Sequence, residues 1–366
     1  MNSTTTMGNP FLAMMQPWQQ AMQQWTERVA AMPRVVKAAA SARKGATPYD
    51  VVHRDSGITL RRYRSETPKK YRTPLVCVFA LVNRPYILDL VEHKSVVRRF
   101  LDRGFDVYLV DWGVPTPADH TRTLYDYIEV YLHRIMDFVR ERTDQEQVSL
   151  LGYCMGGTMS SMYTALHQDL VRNFILMAAP IDFARGDSLL CTWSREGCFD
   201  VDKAVEALGN IPPEWLQGAY LLLKPVQNLI EKHLTFYERM PDEQFLEDFF
   251  AMETWVNDNI PVAGETFRDF IKFGYQRNLL VEGRFPLGSR TVDLGNITCP
   301  VLNLMATADH LVPCEQSMPF NDLVGSTDKD SILLDAGHIG LAVGSRSHRE
   351  LWPRACDWLG ARSDPA

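Results

Sequence analysis

Val148-Ser149-Leu150-Leu151-Gly152-Tyr153-Cys154-Met155-Gly156-Gly157-Thr158 is the stretch on which the reading of the whole chain turns. An apolar run ends in Gly-x-Cys-x-Gly-Gly, and small and helix-forming residues follow to Leu166. The pattern predicts a strand, a sharp turn and a helix, with the cysteine at the apex. A residue at such an apex is held in strained backbone geometry, so its neighbours must be small enough for the chain to close. The helix that follows aims its free N–H groups at the apex, which favours a thiolate and an oxyanion alike. Cys154 is therefore a candidate nucleophile.

Outward from this turn, strands and helices alternate. Residues 75–80 are a continuous apolar run expected of a strand buried on both faces, 106–110 read as a second buried strand and 174–179 as another strand. Residues 88–103 and 124–140 carry helical periodicity. Upstream, residues 51–53 and 58–60 flank Asp55-Ser56-Gly57 as a hairpin. Strand pattern resumes at 301–306 and 332–334, and residues 348–359 read as a closing helix. The rhythm implies a mostly parallel sheet with helices on both faces. It breaks between 181 and 296, a stretch rich in Trp, Phe, Leu and Met and punctuated by Pro212-Pro213, Pro225 and Pro261. The expected division is an N-terminal amphipathic helical segment (1–48), an α/β core (49–180 and 297–366) and a mainly helical cap (181–296).

In the N-terminal segment Met15, Trp18, Met22, Trp25, Val29 and Met32 recur at spacings of three and four, which puts them on one helical stripe. Packing on the chain's own domain and docking to a partner helix both remain open. Residues 34–44, rich in alanine and basic residues, read as a solvated continuation or linker.

The 366 residues carry a formal charge of −7, which argues against general nucleic-acid binding. Seven scattered cysteines form no C-x-x-C pair, which fits free thiols in a reducing compartment. Cys77 and Cys299 lie in or beside apolar runs and read as core fillers. Residues 1–6 lack the basic start of a signal peptide, and no apolar run is long enough to span a bilayer. A cytoplasmic protein with no transmembrane segment is expected.

A nucleophile at this kind of elbow belongs to the α/β-hydrolase fold, where an acid and a histidine follow in chain order at the ends of later strands. Asp309, in Thr307-Ala308-Asp309-His310, and His338, in Asp335-Ala336-Gly337-His338, meet both conditions. The imidazole would take the thiol proton, and the carboxylate would orient the imidazole and stabilise its cation. Capping the helix after Pro313 is the alternative for Asp309. Asp335 lies too near His338 in sequence to reach its far side, and Asp111 reads as a loop brace. An oxyanion hole needs two aimed N–H donors; those of Met155 and Val82 are the candidates. His310 and Asn83 are candidate site-lining residues. No His, Asp and Glu group has metal-ligand spacing.

Leu81-Val82-Asn83-Arg84-Pro85-Tyr86-Ile87-Leu88-Asp89-Leu90, Gly104-Phe105-Asp106-Val107-Tyr108-Leu109-Val110-Asp111-Trp112-Gly113, the cysteine motif and Gly209-Asn210-Ile211-Pro212-Pro213 together resemble polyhydroxyalkanoate synthases. The resemblance runs from about Tyr49 to the C-terminus. It implies that Cys154, Asp309 and His338 are the catalytic residues and that the substrate is a 3-hydroxyacyl-CoA, with 3-hydroxybutyryl-CoA expected. It implies a growing polyester as product, granule association, and no cofactor beyond the CoA carried by the substrate. The chain's length resembles the two-component synthases, so a second synthase subunit is implied, and a homodimer is expected. Two rivals stand beside it: a cysteine-dependent thioesterase or dienelactone-hydrolase-like enzyme, and a non-catalytic scaffold on the granule surface. A long cap argues against the compact lactone hydrolases, and a scaffold has no need of an activated thiol.

Overall fold

The apolar runs become the middle of an eight-stranded sheet. A computed structural model describes the backbone of residues 10–366 and the side chains of residues 20–366 apart from Asn228. Residues 1–6 and the side chains of Met15 and Trp18 lie outside the described residues. The strands β1 (Tyr49–Asp55), β2 (Ile58–Tyr63), β3 (Leu75–Val78), β4 (Val107–Asp111), β5 (Val148–Tyr153) and β6 (Val171–Met177) come first in the chain. β7 (Phe285–Leu287), β8 (Arg290–Val292), β9 (Val301–Ala306) and β10 (Lys329–Leu334) follow. The large sheet has the order β1-β2-β4-β3-β5-β6-β9-β10. β1 and β2 pair antiparallel, as β2 does with β4, and every other pairing in it is parallel. Every residue of β3, β4, β5 and β9 is buried, as strands covered on both faces require. β7 and β8 form a separate small hairpin inside the stretch expected to be helical.

The helices are α1 (Pro10–Ser41), α2 (Val96–Asp102), α3 (His133–Thr143) and α4 (Met155–Leu166), then α5 (Leu189–Ser194) and α6 (Val201–Leu208). α7 (Pro213–Leu223), α8 (Lys232–Arg239) and α9 (Glu243–Val256) continue the insertion. One expectation fails here: the helix read over 88–103 begins only at α2. Asp89 explains the delay. Its buried carboxylate accepts the Thr47 N–H at 2.8 Å, the Thr47 hydroxyl at 2.7 Å and the Ser95 hydroxyl at 2.6 Å. Helical geometry over 89–95 would break that cage, and Ser95 then starts α2 by accepting the Arg98 N–H.

By contacts the chain divides into two units, Met1–Arg43 with Lys224–Thr254, and Lys44–Leu223 with Trp255–Ala366. This differs from the three-part division read from the sequence, because residues 224–254 group with α1. In the smaller unit Ala31, Met240 and Leu246 form a buried cluster, joined by Val35, Ala38, Phe236 and Phe250. Arg28 lies over the Tyr237 ring at 4.2 Å and donates to the Tyr237 carbonyl. α1 is one continuous helix of 32 residues, so residues 34–41 extend it and are no linker. Met22, Trp25, Val29 and Met32, the described part of the stripe, are all exposed, and Val36 continues the row. The larger unit holds the sheet and everything that follows on the candidate site.

Candidate active site

β5 hands the chain to α4 through Cys154, whose φ of 58° and ψ of −134° strain any residue with a side chain. The turn closes because Gly152, Gly156 and Gly157 have none. A Cβ on Gly152 would stand 2.6 Å from Gly157 Cα, one on Gly156 2.5 Å from the Val78 carbonyl oxygen, and one on Gly157 2.6 Å from Ala179 Cβ. The strand, the helix and the next strand therefore meet at van der Waals limits around the half-buried thiol.

Asp309 lies just past β9 and is buried. One carboxylate oxygen accepts the N–H groups of Leu311 and Val312 at 2.9 and 2.8 Å, which fixes the loop; the other accepts from His338 Nδ1 at 2.6 Å. The loop-capping role and the histidine contact are thus held by the same side chain. His338 opens the helix His338–Val343 after β10. Burial would lower the imidazole pKa, but the charges of Asp309 and Cys154, with hydrogen bonds to both, outweigh it and raise the value. With Nδ1 committed to the carboxylate, Nε2 is left for the sulfur. The imidazole is thus oriented to take the thiol proton when the sulfur attacks a carbonyl.

The acids weighed against Asp309 are engaged elsewhere. Asp111 pairs with Arg61 and accepts the Gly113 N–H at 3.1 Å. Asp335 meets the Thr307 hydroxyl at 3.3 Å and Arg346. Cys314, the other half-buried thiol, lies 3.6 Å from a Glu315 oxygen, and burial and then that carboxylate push its pKa up. It is poorly placed to ionise. Cys77 and Cys299 are buried in carbon, each pushed up to about 12 by burial.

The loop after β3 is pinned from both sides. Trp112 Nε1 donates to the Phe79 carbonyl at 2.9 Å, and Trp255 Nε1 to the Arg84 carbonyl at 2.8 Å. Between them Val82 reaches the cavity that Cys154 and Met155 also line. Met155 is the first residue of α4, so its N–H has no acceptor within the helix. Among the described residues the Val82 N–H likewise donates to no protein group. Asn83 does not line this cavity; its side-chain oxygen accepts the Arg84 N–H at 2.6 Å and shapes the loop. His310 does not line it either and is exposed, because the Asp309 turn sends Leu311 and Val312 inward instead.

The cavity measures about 500 Å³. The insertion forms most of its wall, Trp193, Phe199, Trp215, Phe267, Phe270 and Ile271 among its residues. Sequence reasoning passed over Tyr153, whose hydroxyl donates to the His338 carbonyl at 3.0 Å and whose ring stacks on the imidazole at 5.2 Å. Its position between Gly152 and Cys154 was the available signal. The phenols of Tyr220 and Tyr275, which also face the cavity, had none, being part of a long aromatic stretch.

A thiol, a carboxylate-bound imidazole, two N–H groups without protein acceptors beside the thiol and a mainly apolar cavity can transfer an acyl group through a thioester. Residues 74–345 match the family model described as alpha/beta hydrolase fold. Residues 6–100 match the model described as "Poly-beta-hydroxybutyrate polymerase (PhaC) N-terminus". The chain is 42% identical to the poly(3-hydroxyalkanoate) polymerase subunit PhaC of Haloferax mediterranei, over 95% of this chain and 70% of that one. It is also 42% identical to the protein of that name from Allochromatium vinosum, over 87% of this chain and 90% of that one. Among solved structures, a monoacylglycerol lipase of Paleococcus ferrophilus covers 82% of this chain and 99% of its own length, at a TM-score of 0.51 and 17% identity. That likeness concerns the fold alone.

Proposed function

The chain belongs to the poly(3-hydroxyalkanoate) polymerase family, and from that premise we propose that it polymerises (R)-3-hydroxyacyl-CoA, with 3-hydroxybutyryl-CoA the expected substrate, releasing CoA. The observation that carries this reading is the 2.6 Å His338–Asp309 contact beside a strained Cys154 at the mouth of an apolar cavity. Cys154 sulfur attacks the thioester carbonyl, and the Met155 and Val82 N–H groups hold the oxyanion. Coenzyme A leaves with the proton from His338. One thioester has replaced another, so the exchange is nearly balanced, and a thiol suits it. The 3-hydroxyl of an acyl unit then gives its proton to His338 and attacks, forming the ester bond and freeing the sulfur. Water would end the chain instead, and the aromatic wall of the insertion excludes it.

The finer readings follow from the same premise. A second synthase subunit docks along α1, whose exposed Met22, Trp25, Val29, Met32 and Val36 offer a helix-spaced row. Homodimerisation is part of the working assembly. No helix among the described residues is long and apolar enough to cross a membrane, and the enzyme works in the cytoplasm at the surface of its polyester granules. Trp25→Glu should abolish co-purification with the second subunit while leaving the melting temperature unchanged; retained co-purification would rule α1 out.

The direct test is product analysis with (R)-3-hydroxybutyryl-CoA. Thiol release with an insoluble polyester is expected, falling at least ~10⁴-fold in Cys154→Ala. Free 3-hydroxybutyrate as the main product would make the protein a hydrolase.

A further inference from the structure

An acyl group entering this cavity brings an oxygen on its third carbon, and a wall of carbon leaves that oxygen without a partner. An unmet polar group in a dry site is disfavoured strongly enough to govern selection between substrates that differ by one hydroxyl. Two phenols reach the cavity, Tyr220 and Tyr275. Tyr220 is already engaged within the protein. Tyr275 is different. Its ring is clamped by Phe183 and Phe270, with centroids at 4.8 and 5.9 Å in edge-on geometry. Gly274 lets that clamp close, since a Cβ there would lie 3.0 Å from the Phe183 ring. Among the described residues the hydroxyl of this half-buried tyrosine makes no hydrogen bond, and its side chain lines the cavity.

Burial raises the Tyr275 pKa well above the ordinary value, and charges on Cys191, Cys154, Tyr220 and Asp309 raise it further. The phenol is thus within electrostatic reach of both nucleophile and acid, and it stays protonated, a standing donor. A donor to a lone pair of the acyl 3-oxygen leaves that hydroxyl's own proton free to face His338, as chain growth requires.

We propose that Tyr275, clamped by Phe183 and Phe270 on the wall of the Cys154 cavity, recognises the 3-oxygen of the acyl group and selects 3-hydroxyacyl over unsubstituted acyl thioesters. The assignment rests on the polymerase reading for its substrate but concerns acylation alone. The test is single-turnover CoA release by the full chain from (R)-3-hydroxybutyryl-CoA and from butyryl-CoA. Tyr275→Phe keeps the ring and its clamp. It should lose about tenfold in the acylation rate on the hydroxylated substrate and stay within about twofold on butyryl-CoA. Equal losses on both substrates, no loss on the hydroxylated one, or a selective loss in Tyr220→Phe instead would overturn the assignment. Free acid as the end product would count against polymerisation, while the ratio of the two acylation rates would still decide for or against Tyr275.

Discussion

The elbow and α7 are built to opposite tolerances. At the elbow three glycines sit where any Cβ would come within 2.6 Å of another residue. On α7, Gly218 has nothing within 4 Å of its missing Cβ, and the helix contains no fully buried residue. One region packs backbone against backbone to fractions of an ångström around Cys154. The other must enclose a chain of repeating units and let it pass, so loose apolar contact serves it better than interlock. Low local packing is also what permits local opening at small energetic cost.

Four substitutions test that contrast, taken from the largest effect to the smallest. Gly156→Ala should destabilise by about 3 kcal/mol or more, because the clash is with the backbone of residues 78 and 79. A chemical denaturation midpoint close to that of the wild type would mean that the elbow can yield, and the contrast would fail.

The next effect is titration. On the sheet side His348 is buried, accepts from Arg99 Nε at 3.0 Å and donates to the Ala342 carbonyl. Burial first and the Arg99 charge second pull its pKa down to about 4. In the insertion Asp269 is pushed up to about 6 by burial, against the Leu124 N–H that it accepts, with the Glu265 charge adding to the rise. Below its ordinary pKa of about 6.5 an unfolded His348 takes up a proton that the folded one refuses, so acid costs stability until about pH 4. Between about pH 6 and 3.8 the folded Asp269 takes up a proton that the unfolded chain does not, so acid returns stability. The two oppose each other over nearly the same window, each on the order of 2 kcal/mol. Asp269→Asn should therefore steepen acid destabilisation and His348→Asn should reverse part of it, as read from melting temperatures between pH 4 and 7. Parallel pH curves for all three proteins would remove the balance. Smallest of all, Gly218→Ala should raise stability by at most about 1 kcal/mol, the helix-propensity gain, with no steric charge against it.

Much of the sheet and the elbow was legible because its signals are local. Glycine spacing, apolar runs of strand length and the order Cys154, Asp309, His338 all survive without knowledge of distant partners. What escaped depends on residues far apart in the chain. The start of α2 is set by Asp89 reaching Thr47, which no periodicity of residues 88–103 reveals. The grouping of α1 with residues 224–254 depends on which face of the helix is covered, and the covered residues Ala31, Val35 and Ala38 are smaller than the exposed Trp25 and Met32. Hydrophobic size marks the exposed stripe, and the sequence left open what that stripe packs against. His310 read as a lining residue through its place beside Asp309, yet the tight turn made by Asp309 turns it outward. Tyr275 was invisible for a different reason: a tyrosine in an apolar stretch announces bulk, and only three-dimensional neighbours disclose what its hydroxyl is for.

The backbone at Cys154 has one further consequence. A residue with a side chain at φ 58° and ψ −134° stores on the order of 1–3 kcal/mol that glycine would release. Cys154 is thus a standing burden on the fold that carries it. In a laboratory lineage screened for heat resistance with no demand for turnover, position 154 should drift to glycine early, and the chain would become a sturdier protein by forgetting its reaction.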